Sequence, residues 1–212
     1  MQKVYTFDEY KKHALRSIKP HDSKEMAIMD WILGIGGESS EVLELYMRGV
    51  INKMTVAKEI GDIIWYITAF AAELDIDLKE FPEAASIDQP PAALACAVSV
   101  TAGKLQEAIK HYFFHKEKSS RESIEIELDT LFEQVSLLCS AEQITINDCA
   151  KLNAAKLAHR FNLHDGGEYN TADSENRHKK EIDFKETATY KKLVSKLTGI
   201  TVEVSSTDLE VL

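Results

Sequence analysis

A chain of 212 residues with 44% hydrophobic side chains can bury a sizeable core, as one domain or as two small, closely packed ones. Its 35 acidic against 25 basic residues, a net charge of −10, argue against a surface that grips a nucleic-acid backbone. No basic-then-apolar signal segment opens the sequence and no run approaches the roughly 18 apolar residues of a membrane span. Cys96, Cys139 and Cys149 have no CxxC spacing and suit reduced, packed thiols, so the expected setting is cytoplasmic.

Helix starts are well marked. Thr6 and Glu9 have the spacing of a capping box, opening a helix that should end before Pro20. Asp22 or Ser23 caps a second helix to about Met47, closed by Arg48 and Gly49. Thr55 precedes a third, VAKEIGDIIWYITAFAAEL, stopping at the acidic DID. A short helix is expected from Asp77, curtailed or kinked by Pro82. Pro90 and Pro91 suit the first turn of a fourth long helix through roughly Lys116, because proline lacks only a hydrogen that would be unpaired there. Ser119 or Ser120 opens a fifth helix to about Ala141, and Thr145 with Asp148 forms another capping box for a helix carrying KLNAAKLAHRF.

Beyond Asp165 the stretch DGGEYNTADSENRHKK is polar and turn-rich, which predicts a linker or a loosely held surface loop. Residues 186–198 predict one more helix ending at Gly199, and ITVEVS alternates like a single strand. The fold class is thus all-α, with a first half over residues 1–88, a second over 89–164 and a C-terminal extension over 165–212.

The two halves repeat one another. GGESSEVLELY, from residue 36, overlays AGKLQEAIKHY, from residue 102, so Glu41 pairs with Glu107 and Tyr46 with Tyr112. KEIGDIIWYI overlays IELDTLFEQV after a two-residue slip in the loop, pairing Glu59 with Glu127. Glu38 faces Lys104 and Asp62 faces Thr130, so only the first half keeps four carboxylates.

Those four form two i, i+3 pairs, Glu38 with Glu41 and Glu59 with Asp62, each about 5–6 Å apart on one helix face. Such pairs are common on solvated faces, but helical phase separates these from that background. Trp31, Ile35, Val42 and Leu45 share a stripe with Glu38 at its centre and Glu41 at its margin. Ile60, Ile63, Ile64, Ile67 and Ala71 define a buried arc with Glu59, Tyr66 and Asp62 along its edge. A carboxylate there costs several kcal/mol in desolvation unless a cation meets it. Gly34, Gly36, Gly37 and Gly61 each sacrifice about 1 kcal/mol of helix propensity against alanine, which predicts a close approach at each. Four carboxylates without cysteine or histidine suit Mg²⁺ or Mn²⁺, and Mg²⁺ commonly completes its shell with substrate phosphates. GIGGES itself has neither the GK[ST] ending of a phosphate loop nor the GxGxxG spacing.

GESSEVLEL, KEIGDIIWYITAFAAELDID and NAAKLAHRF, together with the opening TFDEYKKHALRSI, resemble the all-α nucleoside triphosphate pyrophosphohydrolases, the MazG-like and dimeric dUTPase-like superfamily. The resemblance spans about residues 5–163 and rests on ExxE followed by ExxD; Lys104 and Thr130 break that signature in the second half, which looks like a degenerate copy. It implies a helical bundle of two MazG-like pseudo-repeats. Glu38, Glu41, Glu59 and Asp62 would hold Mg²⁺ (Mn²⁺ as a substitute), one carboxylate also acting as general base. The products would be a nucleoside monophosphate and pyrophosphate. It further implies phosphate or sugar contacts from Asn153, Lys156 and Arg160, with Lys151 a turn earlier, base stacking by Trp65 or Tyr66, and a homodimer. An exposed basic helix face and core aromatics are the plainer readings of those six residues. A dUTP/dUDP hydrolase, a phosphoribosyl-ATP pyrophosphohydrolase and a non-catalytic helical interaction module are the alternatives.

Overall fold

A computed structural model describes residues 6–78, 80–82, 88–117, 120–163 and 167–201. Among them nine α-helices and one π-turn form, and no strand: α1 (Phe7–Arg16), α2 (Lys24–Arg48), α3 (Lys53–Glu73), α4 (Pro91–Lys110), the π-turn His111–His115, α5 (Ser120–Ala141), α6 (Ile146–Arg160), α7 (Thr171–Glu175), α8 (Arg177–Glu186) and α9 (Ala188–Thr198). The fold is an all-α bundle, and no described helix is long and apolar enough to cross a membrane.

The caps explain most boundaries. Thr6 and Glu9 close their box reciprocally, Glu9 N–H donating to Thr6 Oγ1 and Thr6 N–H to Glu9 Oε2. Ser23 caps α2, and Gly49, at φ +66°, ends it in the left-handed conformation that glycine tolerates. α3 starts earlier than Thr55 predicts, because the Asn52 carboxamide accepts from Thr55 N–H at 2.9 Å and so caps the helix itself. At α6 only half of the expected box forms in the expected way: Thr145 Oγ1 accepts from Asp148 N–H, while the Asp148 carboxylate pairs with Lys196.

α2 with α3 and α4 with α5 make two helical hairpins, joined face to face by α2 on α4. α1 and α6 pack on the open side of α3, and α8 and α9 cover α6. One contiguous core runs through all of this, from Phe7 and Tyr10 to Phe184 and Leu197.

Two expectations change. The segment read as a linker carries α7 and α8, because Asn170 caps the first and Phe184 reaches the core, anchoring an otherwise polar helix against α6. No helix follows Asp77 in the described part of that segment: Asp77, Leu78 and Glu80–Pro82 are irregular, and residues 83–87 lie outside the described residues. The strand expected over ITVEVS also lies outside them apart from Ile200 and Thr201, which are not in regular structure.

Candidate metal centre

The α2–α3 hairpin brings Glu38, Glu41 and Glu59 together. One carboxylate oxygen from each lies within 4.8 Å of the others, and this is the one such group of three or more acid, histidine or cysteine ligands among the described residues. Exposure is graded across it: Glu59 is buried at 7%, Glu38 half-buried and Glu41 exposed. The cluster therefore opens from the core towards solvent.

The sequence placed Glu38 at the centre of the apolar stripe, and the structure corrects this. The buried residues of α2 are Ala27, Ile28, Trp31, Ile32, Ile35, Ser39 and Val42, an arc widened towards Ile32 and Ser39 because the helix packs against both α3 and α4. The close α2–α4 approach shows in Ser99, whose hydroxyl donates to the Ser39 carbonyl at 2.9 Å. Glu38 falls within that arc, off its centre on the Ala27 side, and Glu59 is the most buried acid of the three.

The electrostatics are those of a group short of positive charge. Burial, then Asp62, Glu41 and Glu59, push the Glu38 carboxyl up to about 8, against the opposing pull of Lys156. Burial also raises Glu59; Lys58, whose Nζ lies 3.2 Å from Glu59 Oε1, opposes this, and Asp62 and Glu41 add to the rise. Burial works against the Lys58 ammonium too, but Glu59, Asp62 and Glu181 outweigh it and hold its pKa above the ordinary value. Both partners of one ion pair thus shift upward, Glu59 through burial first and Lys58 through the surplus of nearby carboxylates. An all-oxygen donor set with this proton affinity fits a hard divalent cation such as Mg²⁺ or Mn²⁺.

Asp62 stands beside the trio rather than in it. Its Oδ1 accepts from Asn153 Nδ2 at 2.7 Å and from Lys156 Nζ. Asn153 and Lys156, both buried, do reach the acids, through Asp62. Arg160 lies on the same face of α6 but donates to Glu181 Oε1 of α8 at 3.0 Å. Lys151 lies about 200° around the helix from Asn153, so α6 turns it away from this face. Trp65 Nε1 donates to Ser17 Oγ at 2.9 Å and to the Ala14 carbonyl, fastening α1 to α3, and the indole meets Trp31 and Tyr66 edge-on. The Tyr66 ring packs against Gly34, Trp31 and Trp65; burial, then Glu38, Asp30 and Asp62, push its hydroxyl up to about 12, with Arg177 opposing.

The close approach that their cost predicts is present at three of the four glycines. A Cβ on Gly34 would meet the Tyr66 ring at 2.2 Å, one on Gly36 the Gln106 amide at 2.2 Å, and one on Gly61 the Cys149 carbonyl at 2.8 Å. These are close helix contacts within the protein, and at Gly37 nothing lies within 4 Å.

Sequence reasoning missed Tyr10, Lys58 and Glu181. Tyr10 follows Phe7 at helical spacing and looks like core; Lys58 adjoins Glu59 but no pattern marks it; Glu181 directly follows the segment taken for a linker, where no element was expected. No protein-family model, no curated protein and no solved structure matches the chain.

Proposed function

We propose that the protein is a Mg²⁺-dependent nucleoside triphosphate pyrophosphohydrolase, converting a (d)NTP and water to the monophosphate and pyrophosphate. The convergence of Glu38, Glu41 and Glu59, with Glu38 driven to high proton affinity by burial and then by its acidic neighbours, is the observation that supports this reading. These three would hold Mg²⁺, with Asp62 alongside; the bound ion supplies charge neutralisation of the triphosphate and a more acidic water. Glu38, the strongest base of the set, is suited to take the proton from that water. Lys156 and Asn153 keep Asp62 in place, and Arg160 exchanges Glu181 for a phosphate oxygen. Tyr66, at the rim of the acids, is suited to stack on the base.

A second reading has its own support. Lys58 on Glu59 and Lys156 on Asp62 already balance two of the acids, as in a non-catalytic helical module. Incubation with a full nucleotide panel at confirmed Mg²⁺ load, with the products separated, distinguishes the two. Pyrophosphate with a monophosphate supports the enzyme; no turnover of any nucleotide leaves the module.

A further inference from the structure

Asp62 is reached by a buried chain that begins in another helix. Tyr10, fully buried in α1, donates its hydroxyl to Asn153 Oδ1 at 3.0 Å, and Asn153 Nδ2 donates to Asp62 Oδ1 at 2.7 Å. The sense of the chain is fixed at both ends. An ionised Asp62 only accepts, so the amide nitrogen must face it; this turns the amide oxygen to Tyr10, which must then donate. Lys156 meets the same Asp62 oxygen, but its ammonium rotates on a flexible stem, whereas the carboxamide is planar. Both donors fall on Oδ1, and Oδ2 takes no protein donor among the described residues.

We propose that Tyr10 is a positioning residue for the acidic cluster, acting through Asn153 to hold Asp62 Oδ1 inside the protein and so fix the carboxylate that stands beside Glu38, Glu41 and Glu59. The inference rests on the reading of the cluster as a cation site. Removing the Tyr10 hydroxyl keeps the ring against Phe7 and Phe81 but leaves Asn153 free to turn, and Asp62 with it. Outer-shell partners of this kind govern ligand orientation and typically change metal affinity about tenfold or more when removed.

The test is Mn²⁺ titration followed by the electron paramagnetic resonance signal of the free ion, on the full chain and folded variants. Tyr10→Phe weakens Mn²⁺ binding by about tenfold. Asn153→Ala weakens it at least as much, and the double variant binds no more weakly than Asn153→Ala alone, because both act through one chain. Tyr46→Phe, which deletes a comparable hydroxyl donor to Glu142 on another part of the fold, leaves Mn²⁺ affinity unchanged. Wild-type affinity in folded Tyr10→Phe, or additive losses in the double variant, overturns the relay. If Tyr10→Phe does not fold, unchanged affinity in Asn153→Ala overturns it equally. Failure of the wild-type chain to take up Mn²⁺ overturns the cation site and the relay together, whereas wild-type uptake that Tyr10→Phe leaves intact overturns the relay alone.

Discussion

The two helical hairpins share an architecture and differ in what their acids meet. In α2–α3, Glu41 joins Glu38 and Glu59, and the Glu38 carboxyl is pushed up to about 8. In α4–α5, the matching Glu107 is exposed and bonded to Lys110 and His111, and those hydrogen bonds, Lys110's first, lower its pKa. Lys104 stands exposed where Glu38 stands half-buried, and the Thr130 hydroxyl turns back to the Ile126 carbonyl of its own helix where Asp62 reaches α6. A glutamate at a repeat position is therefore not a site. What differs is the covering: α6 lies on α3 so closely that Gly61 has room for no side chain, while the matching Asp129 of α5 is exposed.

The largest test of this contrast is Glu38→Gln. It should lower turnover by about 10³-fold while leaving the helices intact and the metal-free protein as stable or more so, since it removes a group that on folding must either take up a proton or bury a poorly compensated charge. Pyrophosphate release and circular dichroism check the two halves of that statement; loss of helical signal would make Glu38 a structural residue.

Next in size is a pH effect on stability without metal. Glu38 titrates at about 8 in the folded chain against an ordinary 4.5, so between those values the folded chain holds a proton that the unfolded chain has released. Stability from this group is full below the unfolded value and is lost as pH rises towards 8, on the order of a few kcal/mol. Urea midpoints on either side of the window should show the fall, and both Glu38→Gln and saturating Mg²⁺ should flatten it. A wild-type profile parallel to that of Glu38→Gln would mean that burial and the neighbouring acids do not raise Glu38 as described.

Gly61→Ala should destabilise by about 1–3 kcal/mol, because its Cβ would meet the Cys149 carbonyl, backbone that cannot step aside cheaply. Gly37→Ala, with open space around it, should instead stabilise by about 0.5–1 kcal/mol. Thermal midpoints of the pair decide whether glycine serves helix contact at one site and not at the other. The smallest effect belongs to the second hairpin: Glu107→Gln and Glu127→Gln should each change turnover by less than about twofold, since their surroundings lack the convergence. A loss comparable to that of Glu38→Gln would reveal a second working site.

Much of the bundle was legible beforehand. Thr6 with Glu9, Ser23, Gly49, Pro91, Thr145 and Gly199 mark helix ends through hydrogen bonds and backbone angles that depend on a few neighbouring residues. The pairing of Glu38 with Glu41 was legible for the same reason, being set by the helical pitch. Less legible was the segment after Asp165, where low hydrophobicity hid two helices, because one anchor, Phe184, is too little to produce a periodic signal.

The sequence by itself determined the all-α class, most helix ends and the spacing of the acids along their helices, all properties fixed by local geometry. Only the tertiary structure decided that three acids converge while Asp62 is held by α6, that Glu59 rather than Glu38 is the most buried, and that most of the helical glycines make room for neighbouring protein groups. Which side of a helix lies deepest depends on how many helices pack against it, and α2 and α3 each meet several, so phase along one helix cannot supply the answer.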